Sequence, residues 1–152
     1  MFHIDIQNVL EPEPSGVPSI EKFNQWANAT LSSHVKQAEM TIRLVNVPEM
    51  VELNTQYRHK NNPTNVLSFP AEIPENLDLP LLGDIVICAE VIHDEAAEQG
   101  KQLAAHWAHM VIHGTLHLLG FDHLESKEAE MMENKEIEIL AKLGYPNPYG
   151  EK

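Results

Sequence analysis

The chain has 152 residues with 43% hydrophobic residues, the proportions of one globular domain with one core. It carries 10 Lys and Arg against 23 Asp and Glu, a net charge of −13, which argues against a general nucleic-acid binder. A single cysteine excludes an intrachain disulfide, no apolar run reaches the length of a membrane span, and MFHIDIQNVLEPEP lacks the basic start and apolar block of a signal peptide, so the expected location is cytoplasmic.

Phe2, Ile4 and Ile6 alternate with polar residues, the pattern of a half-buried strand. EPEPSGVP is a loop, and Ser19 is placed to cap a helix with Ile20, Phe23, Ala27 and Leu31 at helical spacing. Met40, Ile42 and Leu44 alternate in a second strand. Pro48 suits the first turn of a second helix, whose apolar side runs through Met50, Leu53 and Tyr57. After the loop HKNNPTN, VLSF is a short strand stopped by Pro70. An acidic, proline-broken loop follows, and then GDIVICA, apolar enough to be central in a sheet. Three helices complete the chain. They span residues 90–99, ended by Gly100; 101–119, ended by Gly120; and Ser126, as a cap, to Leu143, followed by Gly144. The last is expected to bury Met131, Ile137, Leu140 and Leu143. The order predicts one α+β domain over 1–152: a small, mostly four-stranded mixed sheet packed with about five helices.

HGTLHLLGFDH, residues 113–123, holds the chemistry. His113 and His117 are four apart on a helix, so their side chains share a face about 5–6 Å apart at Cβ. Gly120 can take the left-handed conformation and turn the chain, which brings His123 back toward the same point. Three neutral imidazoles suit one zinc ion and leave a fourth position for water. Asp122 is a plausible partner for a ligand ring. Cys88, inside the central strand, reads as a small buried hydrophobe, and His106 and His109, upstream on the same helix, as hydrogen-bonding or structural residues, with His109 close enough to line the site. The spacing is the metal-binding frame of the metzincin proteases without their glutamate, for Gly114 stands in its place. A glycine there removes the proton acceptor and clears space beside the ion for a substrate or a neighbouring backbone. Phosphodiesters then become more attractive than peptides, since a metal can polarise a phosphoryl oxygen and an arginine can hold its charge. Arg43 and Arg58 are the only arginines, and both lie in 35–70, a stretch of net charge +1 beside the strongly acidic 71–100. Ser68 has no histidine beside it in sequence and is not expected to be a nucleophile.

HGTLHLLGFDH resembles the signature of the YbeY family, bacterial metal-dependent endoribonucleases of ribosomal RNA maturation. TNVLSFP, LLGDIVICAEV, LAAHWAHMVIHG and LGYPNPY are similar to further segments of that family, over residues 40–149. The resemblance implies an α+β fold with the metal site in a cleft, that His113, His117 and His123 bind zinc, and that the important arginine of the family is Arg58 of YRHK, with Lys60 beside it. It implies single-stranded RNA as substrate, a role in maturing the 3′ end of 16S ribosomal RNA and in ribosome quality control, and a ribosomal or small-subunit protein partner, with neither membrane nor DNA involved. Where the family commonly has Thr-Asp before Val-Leu-Ser-Phe, this chain has Asn65. Two rival readings are a metzincin-like metalloprotease and a non-catalytic ribosome-assembly factor with a structural zinc.

Overall fold

The structure, a computed structural model, describes residues 1–74, 77, 79–122 and 124–150. Nine elements run β1 (Phe2–Asn8), α1 (Ile20–Leu31), β2 (Ala38–Val45), α2 (Val47–Arg58), β3 (Val66–Pro70), β4 (Leu81–Cys88), α3 (Ala89–Gln99), α4 (Leu103–Leu118) and α5 (Ser126–Leu143). The four strands form one sheet in the order β1-β2-β4-β3. β1 and β4 each pair parallel to β2, with Ile4 opposite Met40 and Ile42 opposite Ile85. β3 pairs antiparallel to β4, Leu67 opposite Val86. The expected fold class holds, and GDIVICA is an inner strand.

Strand alternation explains the two faces of the sheet. Met40, Ile42, Leu44, Ile85 and Ile87 point to one side and join Phe23, Trp26 and Leu31 of α1 and Trp107, Ile112 and Leu116 of α4 in the main core. The edges of Trp26 and Trp107 meet the Phe23 ring at centroid distances of 5.7 and 5.6 Å. Val45, Leu67, Val86 and Cys88 turn the other way and pack on Met50 of α2. Cys88 is thus a core hydrophobe on the face opposite the histidine helix. Gly83 has φ +136°, and a Cβ there would meet the Phe69 carbonyl at 2.2 Å, so only glycine lets β3 lie this close to β4.

Helix ends follow the local chemistry. The Ser19 hydroxyl accepts from the Lys22 amide, and Pro48 lies in the first turn of α2. Gly100 and Gly144 close α3 and α5 in the left-handed conformation. Ser126, expected as a cap, is instead the first residue of α5; the cap is Glu125, whose side chain makes no capping bond. The buried stripe of α5 also differs from expectation: Met132, Glu136, Ile139 and Leu140 face inward, while Met131 is 57% exposed. No described helix is long and apolar enough to cross a membrane.

Candidate metal centre

α4 crosses the sheet over β3 and β4. Gly114 permits this, because a Cβ on it would lie 3.0 Å from Ile85 Cγ2 and 3.3 Å from Val66 Cγ2. The space left by the missing side chain is therefore filled by the sheet. The expectation that Gly114 clears room beside the ion is corrected: one step along a helix turns the side chain by about 100°, away from the face of His113. The Ser68 hydroxyl donates to the Gly114 carbonyl at 3.2 Å and ties β3 to the histidine helix.

His113 and His117 share a face of α4, their ring centroids 4.7 Å apart and nearly perpendicular. The helix then ends in the way its sequence implies. Gly120 (φ +105°) donates to the His117 carbonyl at 3.0 Å, and Phe121 donates to the Leu116 carbonyl at 3.0 Å, a Schellman closure that reverses the chain toward Asp122. His123, the expected third ligand, lies outside the described residues. A cleft of about 400 Å³ opens here, with His113, His117 and Asp122 on one side and Arg58, Thr64 and Asn65 on the other. Arg58 is exposed in the last turn of α2. The next residue, His59, takes the left-handed conformation (φ +58°) to close that helix. Lys60 is exposed on the same loop.

Beneath the two rings lies a group that the sequence reading missed. Glu136 of α5 is fully buried, and its carboxylate accepts from His113 Nδ1 at 2.5 Å, from His109 Nε2 at 3.0 Å and from the Tyr149 hydroxyl. Burial pushes the Glu136 pKa up, but the hydrogen bonds and charges of His109 and His113 outweigh it and hold it at about 2. An ionised carboxylate only accepts, so each of these partners must present a hydrogen. His113 therefore carries its proton on Nδ1 when neutral, which puts its lone pair on Nε2. Burial, and then the bond to Glu136, raise the Tyr149 pKa, so its hydroxyl stays protonated.

His109, His113 and Glu136 each offer one ligand atom within 4.8 Å of the others, a set that can hold a metal ion. Two atoms bound to one tetrahedral zinc stand roughly 3.3 Å apart, from bond lengths near 2.0–2.1 Å. The 2.5 Å contact between His113 and Glu136 is shorter and matches a hydrogen bond. As it stands, the arrangement is that of a carboxylate orienting an imidazole ring.

A second polar chain supports the far wall. The Asn65 amide donates to both oxygens of Glu95 at 3.2 and 3.3 Å, and Glu95 also accepts from His106 Nε2 at 2.9 Å. An aspartate at 65 would face that carboxylate as a like charge, whereas asparagine bonds to it. Burial lowers the His106 pKa, against the bond to Glu95. His106 and His109 thus each hydrogen-bond to a glutamate, and the cleft is lined by His113 and His117 without His109.

Residues 14–144 match the family model described as Endoribonuclease YbeY. Proteins named Endoribonuclease YbeY from Pseudomonas putida and Pseudomonas fluorescens are each 53% identical to this chain over 152 residues. These alignments cover 99% of this chain, with 95% of the first protein and 98% of the second. The chain belongs to the YbeY family of endoribonucleases. A solution structure from Thermotoga maritima, 25% identical, superposes with a TM-score of 0.61 over 94% of this chain and 91% of that one, so the fold is shared as well. In this YbeY sequence residues 113–122 of the signature form the end of α4 and its reversal, and YRHK spans the end of α2 and the loop after it, with Arg58 lining the same cleft.

Proposed function

We propose that the protein is a zinc-dependent endoribonuclease of single-stranded RNA that acts on the 3′ end of 16S ribosomal RNA and in ribosome quality control in the cytoplasm. The observation that carries this reading is the buried Glu136 carboxylate, which directs the His113 lone pair outward beside His117 at the head of a cleft faced by Arg58. His113, His117 and His123 would hold the ion. When bound, zinc supplies Lewis acidity toward a phosphoryl oxygen and lowers the pKa of a water toward 7. The chain's own residues do the rest. Arg58 presents a planar fork to the scissile phosphate, matching its oxygens by paired hydrogen bonds. Ser68 ties β3 to α4 through the Gly114 carbonyl.

The metalloprotease reading loses ground because Gly114 offers no carboxylate to take a proton from a metal-bound water, and a side chain at 114 would press on Ile85 and Val66. The net charge of −13 repels RNA overall, so targeting falls to a ribosomal or small-subunit protein partner.

One experiment separates the readings. Zinc-loaded and chelated protein are incubated with ribosomal RNA and with a peptide library, and product ends are mapped. Metal-dependent RNA cleavage, lost together with zinc in His113→Ala, is the expected result. Metal-dependent peptide cleavage would favour the protease. Neither activity, with a melting temperature that drops on chelation, would favour an assembly factor with a structural zinc.

A further inference from the structure

β3 is an edge strand, and the pairing rules tell which of its main-chain groups are used. The Cys88 amide donates to the Asn65 carbonyl at 2.9 Å, and the Ala71 amide donates to the Leu82 carbonyl at 2.8 Å. Both pairs lie directly opposite in the β3–β4 register, which makes residues 65, 67, 69 and 71 the hydrogen-bonded positions of an antiparallel ladder. Val66, Ser68 and Pro70 therefore turn their main chain away from β4. Pro70 agrees with this, since it has no N–H and occupies a position where the ladder needs none.

That outward edge is in the cleft. Thr64, Asn65, Val66, Leu67 and Ser68 all line it, although strand side chains alternate between faces. A wall touched by consecutive residues of both parities is a wall of main chain. Its floor is the histidine helix, bound through Ser68 to Gly114, the neighbour of His113.

Resting on the RNA reading above, we propose that the open edge of β3 binds an unpaired nucleobase next to the scissile phosphate, through the Val66 carbonyl and the Ser68 N–H and carbonyl. These groups run acceptor, donor, acceptor along the edge. Adenine and cytosine present an amino donor beside a ring-nitrogen acceptor, and uracil and guanine present an N–H donor beside a carbonyl. Each base can make two bonds to the strand, so recognition tolerates sequence. It does not tolerate pairing, because in a duplex the same base edge is occupied by the opposite strand. The device selects single strands without a cationic groove, which suits a chain of net charge −13.

The test uses zinc-loaded, isotope-labelled protein and a single-stranded 2′-O-methyl phosphorothioate oligonucleotide that resists cleavage. Saturable binding should shift the Ser68 amide signal and protect it from exchange, leave the Leu67 amide still, and vanish when the oligonucleotide is annealed to its complement. Ser68→Pro removes the outward N–H without costing a ladder bond, and should weaken binding about tenfold relative to Ser68→Ala, which loses only the hydroxyl. Saturable binding with the Ser68 amide unmoved, or equal affinity in the two variants, overturns the base-binding edge and leaves the RNA reading standing. Absence of any RNA binding by the wild-type protein overturns both. A Ser68 shift produced by extended peptides and not by RNA would reassign the edge to peptide docking.

Discussion

Replacing Glu136 by glutamine keeps the volume and removes the charge. The wild-type carboxylate receives three hydrogens, from His113 Nδ1, His109 Nε2 and the Tyr149 hydroxyl. An amide has one oxygen and one NH₂, so at least one partner must meet a donor where it met an acceptor. If that partner is His113, its proton moves to Nε2 and the lone pair facing the cleft is lost. Partners of this kind are worth about 10–100-fold in metal affinity, or roughly 1.4–2.7 kcal/mol. Loss of charge-assisted bonds in the core adds about 2–3 kcal/mol of destabilisation in the metal-free protein, about 4–12 °C in melting temperature for a domain of this size. The assay is zinc competition against a chromophoric chelator, with imidazole nitrogen shifts read in parallel to report which nitrogen of His113 carries the proton. Glu138→Gln on the exposed face of α5 serves as control. Wild-type zinc affinity and an unchanged His113 tautomer in Glu136→Gln would refute the reasoning. A loss beyond about 1,000-fold would exceed what an orienting partner supplies and make Glu136 a ligand itself.

Gly114→Ala gains helix propensity of about 1 kcal/mol but forces a methyl to 3.0 Å from Ile85, an overpacking cost of about 1–3 kcal/mol. A net melting-temperature loss of a few degrees is expected, and a rise would show that the sheet yields freely. Arg58→Glu, at an exposed position, should leave melting temperature and zinc content unchanged and lower RNA cleavage at least tenfold, measured as initial rates on a labelled oligonucleotide. Because burial lowers the pKa of His106, the folded protein binds fewer protons than the unfolded chain. Its contribution to stability is thus complete above the unfolded value near 6.5 and is lost as pH falls through the folded value. Urea midpoints should drop less between pH 7.5 and 5.5 in His106→Gln than in wild type, and parallel slopes would contradict this.

Much of the fold is written in local pattern. Alternation in Phe2–Ile6 and Met40–Leu44, the Ser19 cap and the Gly120 reversal each depend on a few neighbouring residues, and each appears where expected. The paired face of His113 and His117 is equally local. Glu136 was hidden for a specific reason. Of the stripe read through Met131, Ile137, Leu140 and Leu143, Leu140 is buried and Leu143 packs on the core, but the first two turns are shifted to Met132 and Glu136, which puts the carboxylate inside. An acid on a charged helix gives no sign of burial until its partners are known, and these stand 23 and 27 residues upstream and 13 downstream. Gly114 was misread because adjacency in sequence was taken for adjacency to the ion, whereas the helix turns it to the sheet. The Asn65–Glu95–His106 chain joins a loop and two helices, a relation no single window of sequence holds.

The hydroxyl that Tyr149 extends to Glu136 makes the stretch after α5 a brace for the histidines: one carboxylate links the Tyr149 hydroxyl to the Nδ1 of His113 and the Nε2 of His109, so a change in the tail is felt at the rings.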